Sequence, residues 1–342
     1  MGLPWPTLPK RDQAQLRISE ETWVEEGTSP TKLWVHVALF AGTFCTVTLN
    51  GAIIEGKNPF RDWHTWQAGL PFAFALMSIL LVHELGHYLM ARYHRVPASL
   101  PYFIPAPPIF VGTFGAFIRL NGTPPTRAAL FDVGAAGPWA GFFASLIALV
   151  IGLPRSEIRP IVPDEMALYL GDSLITKGLT AYFLGTIPDG YGLYFHPIAF
   201  AGWVGLFVTL VNLVPIGQLD GGHILYAVAG RHHAALARAT WMVVMWLGLF
   251  VWVGWCVWGI LPLVLGMDHP PTRADWVPLD RLRTAIAAAT LVMLVAVFIP
   301  IPARPLLDED LAPPHKPTPE SQELIRARLE RPLLTPHEER LA

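Results

Sequence analysis

Charge is what this sequence has least of: Asp, Glu, Lys and Arg supply 15% of its 342 residues, against 53% hydrophobic. Soluble domains carry about a quarter charged residues, so a chain of ordinary soluble domains is excluded as the main architecture. Cysteine is nearly absent. The two present, Cys45 and Cys256, each sit inside an apolar run; this argues against a disulfide framework and reads as small buried residues. A cleavable signal pattern is missing too, because the opening M-G-L-P-W-P-T-L-P-K-R-D is polar and proline-rich, so the first apolar run is expected to remain in the mature protein. Met-Gly lacks the sixth-position Ser or Thr of a myristoylation site. The formal net charge of −2 selects no partner, no nucleic-acid partner is expected, and there is no internal repeat or low-complexity tract.

What is there is bunched hydrophobicity. Charge-free runs occupy Leu33–Ile54, Trp66–Val82 with its continuation to Ala91, Val133–Pro154, Pro197–Leu219, Ala239–Met267 and Thr284–Ala303. Most reach the roughly 20 residues a helix needs to cross hydrocarbon. The expected fold is an all-α polytopic membrane protein with about six spans (33–54, 66–91, 133–154, 197–219, 239–267 and 284–303) between a 1–32 tail and a 304–342 tail. With both tails on one side, Lys and Arg divide sixteen to eight in favour of that side. The positive-inside rule then places both ends in the cytoplasm.

A seventh run, Val96–Ile118, is also free of charge, but it contains Pro97, Pro101, Pro105, Pro107 and Pro108, then Gly112 and Gly115. Five prolines remove donors and break any helix repeatedly. The second half, I-F-V-G-T-F-G-A-F-I-R-L, has the make-up of a strand or hairpin. At membrane depth such backbone survives only against protein or a water-lined cavity, so 96–120 is expected to be a re-entrant loop on the cytoplasmic side. Segment 154–195 reads as an external loop too short for a separate domain. In the last tail, T-P-E-S-Q-E-L-I-R-A-R-L-E-R (318–331) resembles a capped amphipathic helix.

The polar exception lies in the second run, where V-H-E-L-G-H-Y-L-M spans residues 82–90. On a helix His83 and His87 stand one turn apart on one face and can reach a single metal ion, and Glu84 can take a proton from a water held there. Facing lipid, these side chains would be costly, and intramembrane ionisable groups are functional by default. A structural polar cluster between helices is the plain alternative. Two histidines leave a catalytic zinc one protein ligand short. Asp220, directly after the fourth run, is the only acid from Pro197 to His223, and both runs finish on the same side if 96–118 does not cross. An aspartate that only caps a helix end near water is the simpler reading of Asp220. Pro215 disrupts the helix near Asn212, whose amide can meet a substrate or a developing oxyanion or, more plainly, an interhelical hydrogen bond.

These residues resemble the site-2 protease family of intramembrane zinc metalloproteases. The likeness rests on H-E-L-G-H (83–87) and N-L-V-P-I-G-Q-L-D-G (212–221), helped by G-P-W-A-G (137–141) and G-A-F-I-R-L (115–120). It implies zinc held by His83, His87 and Asp220, Glu84 as base, Asn212 on substrate or intermediate, and cleavage within or next to the membrane span of a substrate protein. The implied partners are a single-span or membrane-anchored protein and the bilayer, with the oligomeric state open. No loop is long enough for a PDZ-type domain, and no paired regulatory (CBS) domain is expected after the last span. H-P-P-T (269–272) resembles a feature of the bacterial and chloroplast branch, and the cytoplasmic membrane of a bacterium is the simplest location. On the expected topology His269 lies on the external side as a loop histidine; His36, His94 and His196 are set aside, and His223 is a weak candidate for supporting the site. A metal-ion transporter, a zinc protease with a distant Glu as third ligand, and a non-catalytic membrane chaperone are the competing readings.

Overall fold

The structure, a computed structural model, describes residues 32–107, 111–161, 168–188 and 190–305. Both tails and the expected 318–331 helix lie outside the described residues. Helices cover most of the charge-free runs, and capping side chains stand at some of their entries. They are α1 (Leu33–Ile54), α2 (Leu70–Tyr93, entered through a 3-10 turn at Trp63–Gly69), α3 (Arg127–Gly152), α4 (Leu174–Leu184), α5 (Pro197–Asn212), α6 (Asp220–Ala229), α7 (His233–Phe250), α8 (Gly254–Leu265) and α9 (Arg281–Val297). The Thr126 hydroxyl accepts from the Ala129 N–H at the start of α3, and Asp280 accepts from the Arg283 N–H at the start of α9. Among the described residues, four stretches are long and apolar enough to cross a membrane: Leu33–Ile54, Trp63–Tyr93, Arg127–Arg155 and Asp220–Phe250.

The core forms where α2, α3 and α5 meet, with Leu76, Leu149, Leu206 and Leu210 almost fully buried. In a bilayer, small residues at helix contacts let backbones approach and gain dispersion energy. Here a methyl group on Gly152 would fall 2.2 Å from the Ala199 nitrogen, and one on Gly205 2.3 Å from the Ser145 hydroxyl. Alanine at either site would push α5 away from α3.

The proline-rich segment is a hairpin, as its composition predicts. Strands β1 (Tyr102–Pro105) and β2 (Thr113–Phe117) pair antiparallel, Tyr102 opposite Phe117 and Phe103 opposite Ala116. It lies along α1: the His36 Nδ1–H donates to the Pro101 carbonyl at 3.0 Å, Phe40 meets Phe103 edge-on, and the Thr46 hydroxyl donates to the Gly112 carbonyl at 2.6 Å. From His36 to Thr46 a helix rises about 15 Å. At the other end of the helices, β3 (Glu157–Pro160) pairs with β5 (Tyr191–Tyr194), and β4 (Leu168–Leu170) pairs with β6 (Ala303–Pro305).

Several expectations need correction. The 239–267 run is two helices, α7 and α8, separated at Val251–Val253 and packed on each other through small residues, since Gly248 meets Cys256 and Gly259 meets Met245. The Trp252 and Trp255 indole N–H groups donate to the carbonyls of Ala303 and Pro300, which holds the turn at the end of the molecule away from Asp220. Segment 266–280 therefore returns to the Asp220 end, where the Gly266 carbonyl lies against Gly217 and Ala274 bridges to Thr126. The last described strand, β6, stands at the far end, whereas α1 starts at the Asp220 end, so the two ends of the described chain do not share a side as the both-tails-inside expectation required. The helix of the 197–219 run stops at Asn212, three residues before Pro215, and residues 213–219 form a loop that leads into α6. Both cysteines are free, as expected, but Cys45 is exposed and Cys256 half-buried, so neither is the buried small residue its apolar run implied.

Candidate metal centre

His83 and His87 lie in the second half of α2, both buried, on the face turned to α3 and α6. Room for two imidazoles comes from α3. A methyl group on Gly137 would sit 2.0 Å from His87 Nε2, and one on Gly141 would sit 2.7 Å from His83 Nδ1. The glycines of G-P-W-A-G are thus spaces cut for the histidines. Asp220 arrives as the first residue of α6, and the turn before it is tight enough that a methyl group on Gly221 would fall 2.0 Å from the Leu213 carbonyl.

The three side chains converge on one point. His83 Nε2 and His87 Nε2 are 3.1 Å apart, and Asp220 Oδ2 is 3.3 Å from each. His87 Nδ1 is 2.7 Å from the Val133 carbonyl, which can only accept, so the proton is on Nδ1 and the Nε2 lone pair faces the group. A tetrahedral zinc with ligands at 2.0–2.1 Å separates its donor atoms by about 3.3–3.4 Å. The observed edges match that spacing to within a few tenths of an ångström, so the donor set fits a metal ion without rearrangement. Among the described residues it is the one group of three metal-ligating side chains that does so.

Glu84 follows the first histidine and is buried. Asn212, the last residue of α5, brings its amide Nδ2 within 3.3 Å of His83 Nε2. The structure thus brings His83, His87, Asn212 and Asp220 together, with Glu84 next to His83 in the chain.

Comparison with known proteins bears on what such a site is. The sequence profile of peptidase family M50 matches residues 71–254, which contain all five of these residues. The chain belongs to peptidase family M50. This M50 chain is 32% identical over 256 residues to the probable zinc metalloprotease EGY1, chloroplastic, of Arabidopsis thaliana, covering 71% of the chain and 44% of that protein. It is 32% identical over 311 residues to EGY2 of the same plant (86% and 54%) and 36% identical over 230 residues to EGY2 of Oryza sativa subsp. indica (65% and 42%), both named in the same way. The chain spans about half the length of the curated relatives it matches.

A second imidazole group near the M50 site was not legible from the sequence. His269, expected on the opposite side, instead lies beside His223, with His223 Nδ1 2.6 Å from His269 Nε2. His269 Nδ1 donates to the Pro270 carbonyl, so Nε2 accepts and the His223 Nδ1–H donates. Burial pushes the His269 imidazole down to about 4, against the Pro270 carbonyl and Asp275, which favour its charged form. The loop is fastened further by Tyr226, whose hydroxyl donates to Asp275 at 3.0 Å and whose ring stacks on His269. His36 and His94 hold backbone and Asp132 contacts, and His196 caps α5.

Proposed function

We propose that this chain is an intramembrane zinc metalloendopeptidase that hydrolyses peptide bonds within or next to the membrane span of a single-span or membrane-anchored protein. The observation that carries the reading is the convergence of His83, His87 and Asp220 at zinc spacing, with Glu84 beside the first ligand, in an M50 chain. Zinc bound by these three side chains would acidify a water molecule and polarise the scissile carbonyl. Glu84 takes the proton of the attacking water on its carboxylate and passes it to the leaving amine nitrogen. The Asn212 amide donates to the substrate carbonyl oxygen as charge builds there. A peptide bond inside a helix is shielded by its own hydrogen bonds, so the substrate is unwound at the site. The 113–120 segment, which contains β2, offers a backbone edge on which the unwound strand adds.

The same reading extends to placement. The 96–120 hairpin is re-entrant, entering from the site end alongside α1 and leaving on the same side. In place of one fifth span, α7 and α8 go across and return, and α9 crosses last. The connections at the site end (92–132, 217–238 and 266–283) hold nine Lys and Arg, and those at the far end (55–65 and 154–195) hold five; the four that precede α1 and the six from Arg304 onward bring this to thirteen and eleven, a balance that selects no side. A cytoplasmic active site is proposed on the family resemblance. A bacterial cytoplasmic membrane is the simplest setting; the chloroplast named for the relatives is the other.

A transport path would string ligands along a pore, whereas these donors close on a single point. The test is cleavage of a single-span substrate by purified protein in lipid, with one zinc per chain. Glu84→Gln should keep the zinc, lose cleavage, and retain the uncut substrate in native membranes. Undiminished cleavage by that variant would sink the mechanism.

A further inference from the structure

Beyond the five site residues, one charged network touches the centre through a single peptide unit. Asp132, on the second turn of α3, is mostly buried and receives three charge-assisted hydrogen bonds from two other helices. His94, at the C-terminal end of α2, donates from Nε2 to Oδ2 at 2.7 Å. Arg283, at the start of α9, donates Nε to Oδ1 at 2.7 Å and Nη2 to Oδ2 at 2.5 Å, a two-pronged fork on one carboxylate. Arg283 is itself fixed by Asp280, which pairs with its Nη1 and accepts from its backbone N–H at 2.9 Å. The residue after Asp132 is Val133, whose carbonyl receives the His87 Nδ1–H.

We propose that Asp132, held by Arg283 and His94, is a positioning residue for His87. This rests on the reading of His87 as a zinc ligand. In a hydrogen-bonded helix the backbone positions of Asp132 and Val133 are fixed relative to one another, so an anchored Asp132 carboxylate limits how the Val133 carbonyl can shift. The fork from α9 and the bond from the end of α2 therefore set the height and rotation of α3 at residue 133. That setting decides whether the Val133 carbonyl meets Nδ1 and keeps the His87 Nε2 lone pair on the metal. Partners that orient a ligating imidazole are worth about 10–100-fold in metal affinity, and Asp132 acts on that partner through one covalent step. Bulk packing of α9 is separable from this role. About two turns beyond Asp132, the Trp139 indole N–H donates to the Thr290 hydroxyl at 3.0 Å, joining α3 to α9 without touching a ligand's partner.

The experiment uses full-length protein in lipid nanodiscs, loaded with zinc for chelator-driven release and with cobalt(II) for its visible ligand-field spectrum. Asp132→Asn should release zinc about 10-fold faster and shift the cobalt bands. Arg283→Lys, which keeps the charge and loses the fork, should move both readouts in the same direction by about 3-fold in release. Thr290→Val should lower the unfolding temperature and leave release and spectrum at wild-type values. Wild-type protein that holds no zinc would refute the metal-centre reading itself. Wild-type zinc binding with release and spectrum unchanged in Asp132→Asn would overturn only the positioning role, as would equally fast release in Thr290→Val. Should Asp132→Asn not be recovered folded, Arg283→Lys decides on the same two readouts, and unchanged values there overturn the proposal.

Discussion

Two pairs of imidazoles lie at the same end of this molecule, and they differ in what their nitrogens do. In His83 and His87 the two Nε2 atoms stand 3.1 Å apart with a carboxylate oxygen 3.3 Å from each. In His223 and His269 the nitrogens are 2.6 Å apart, one donating to the other, and the remaining His269 nitrogen donates to a carbonyl. The second pair is complete as a hydrogen-bond chain. In the first, the His87 Nδ1–H is spent on the Val133 carbonyl, so its Nε2 lone pair and the Asp220 oxygen converge with His83 Nε2 on one point, an arrangement that a cation placed there would stabilise. Proximity of histidines therefore says little by itself; the far-side partner of each ring and the position of the acid decide which pair is a metal centre.

The sharpest way to break the comparison is to remove the acid. Asp220→Asn should lower zinc affinity by 100-fold or more and abolish cleavage, while His223→Gln and His269→Gln should keep one zinc per chain with affinity within about 10-fold of wild type. Equal zinc loss in all three would erase the distinction between the pairs. Next in size, Glu84→Gln should cut turnover by about 10³-fold with zinc content unchanged, as single-turnover assays and metal analysis would register. Gly137→Ala places a methyl group within 2.0 Å of His87 Nε2. It should cost about 1–3 kcal/mol of stability and most of the zinc, whereas the same change at Gly42, where open space surrounds the new methyl, should cost neither.

The smallest effect concerns the second pair. His269 titrates near 4 in the fold and near 6.5 when unfolded, so the unfolded chain binds more protons between those values. The contribution of the neutral ring is intact above about pH 6.5 and is lost as pH falls towards 4. Hydrogen exchange of the 266–280 loop should therefore quicken over that window, and His269→Asn should flatten the response. A loop whose exchange shows no pH dependence beyond the intrinsic chemistry would contradict this account of the pair.

Much of the site was legible because its signals are local or absolute. His83, Glu84 and His87 follow from i, i+4 spacing on a helix inside an apolar run, and Asp220 from being the only acid between Pro197 and His223. The hairpin at 102–117 follows from proline and glycine. The glycines at 137 and 141 were visible as a motif, but their reason, space for two imidazoles, exists only once α3 lies against α2. The position of His269 was missed because 239–267 was read as one helix. A warning was present in its length: 29 residues at 1.5 Å each make about 44 Å, well beyond the roughly 30 Å of hydrocarbon. Asp132 and Arg283 are separated by 151 residues, and no spacing rule joins them; their contact depends on α9 packing against α3.

The central claim is that two imidazole nitrogens and one carboxylate oxygen hold a zinc ion. X-ray absorption at the zinc edge, together with metal content, tests it on purified full-length protein. The account predicts one zinc per chain with a shell of nitrogen and oxygen only, two imidazoles among its ligands, and loss of that zinc in Asp220→Asn. A sulfur ligand, or a wild-type zinc shell retained unchanged in Asp220→Asn, would contradict it.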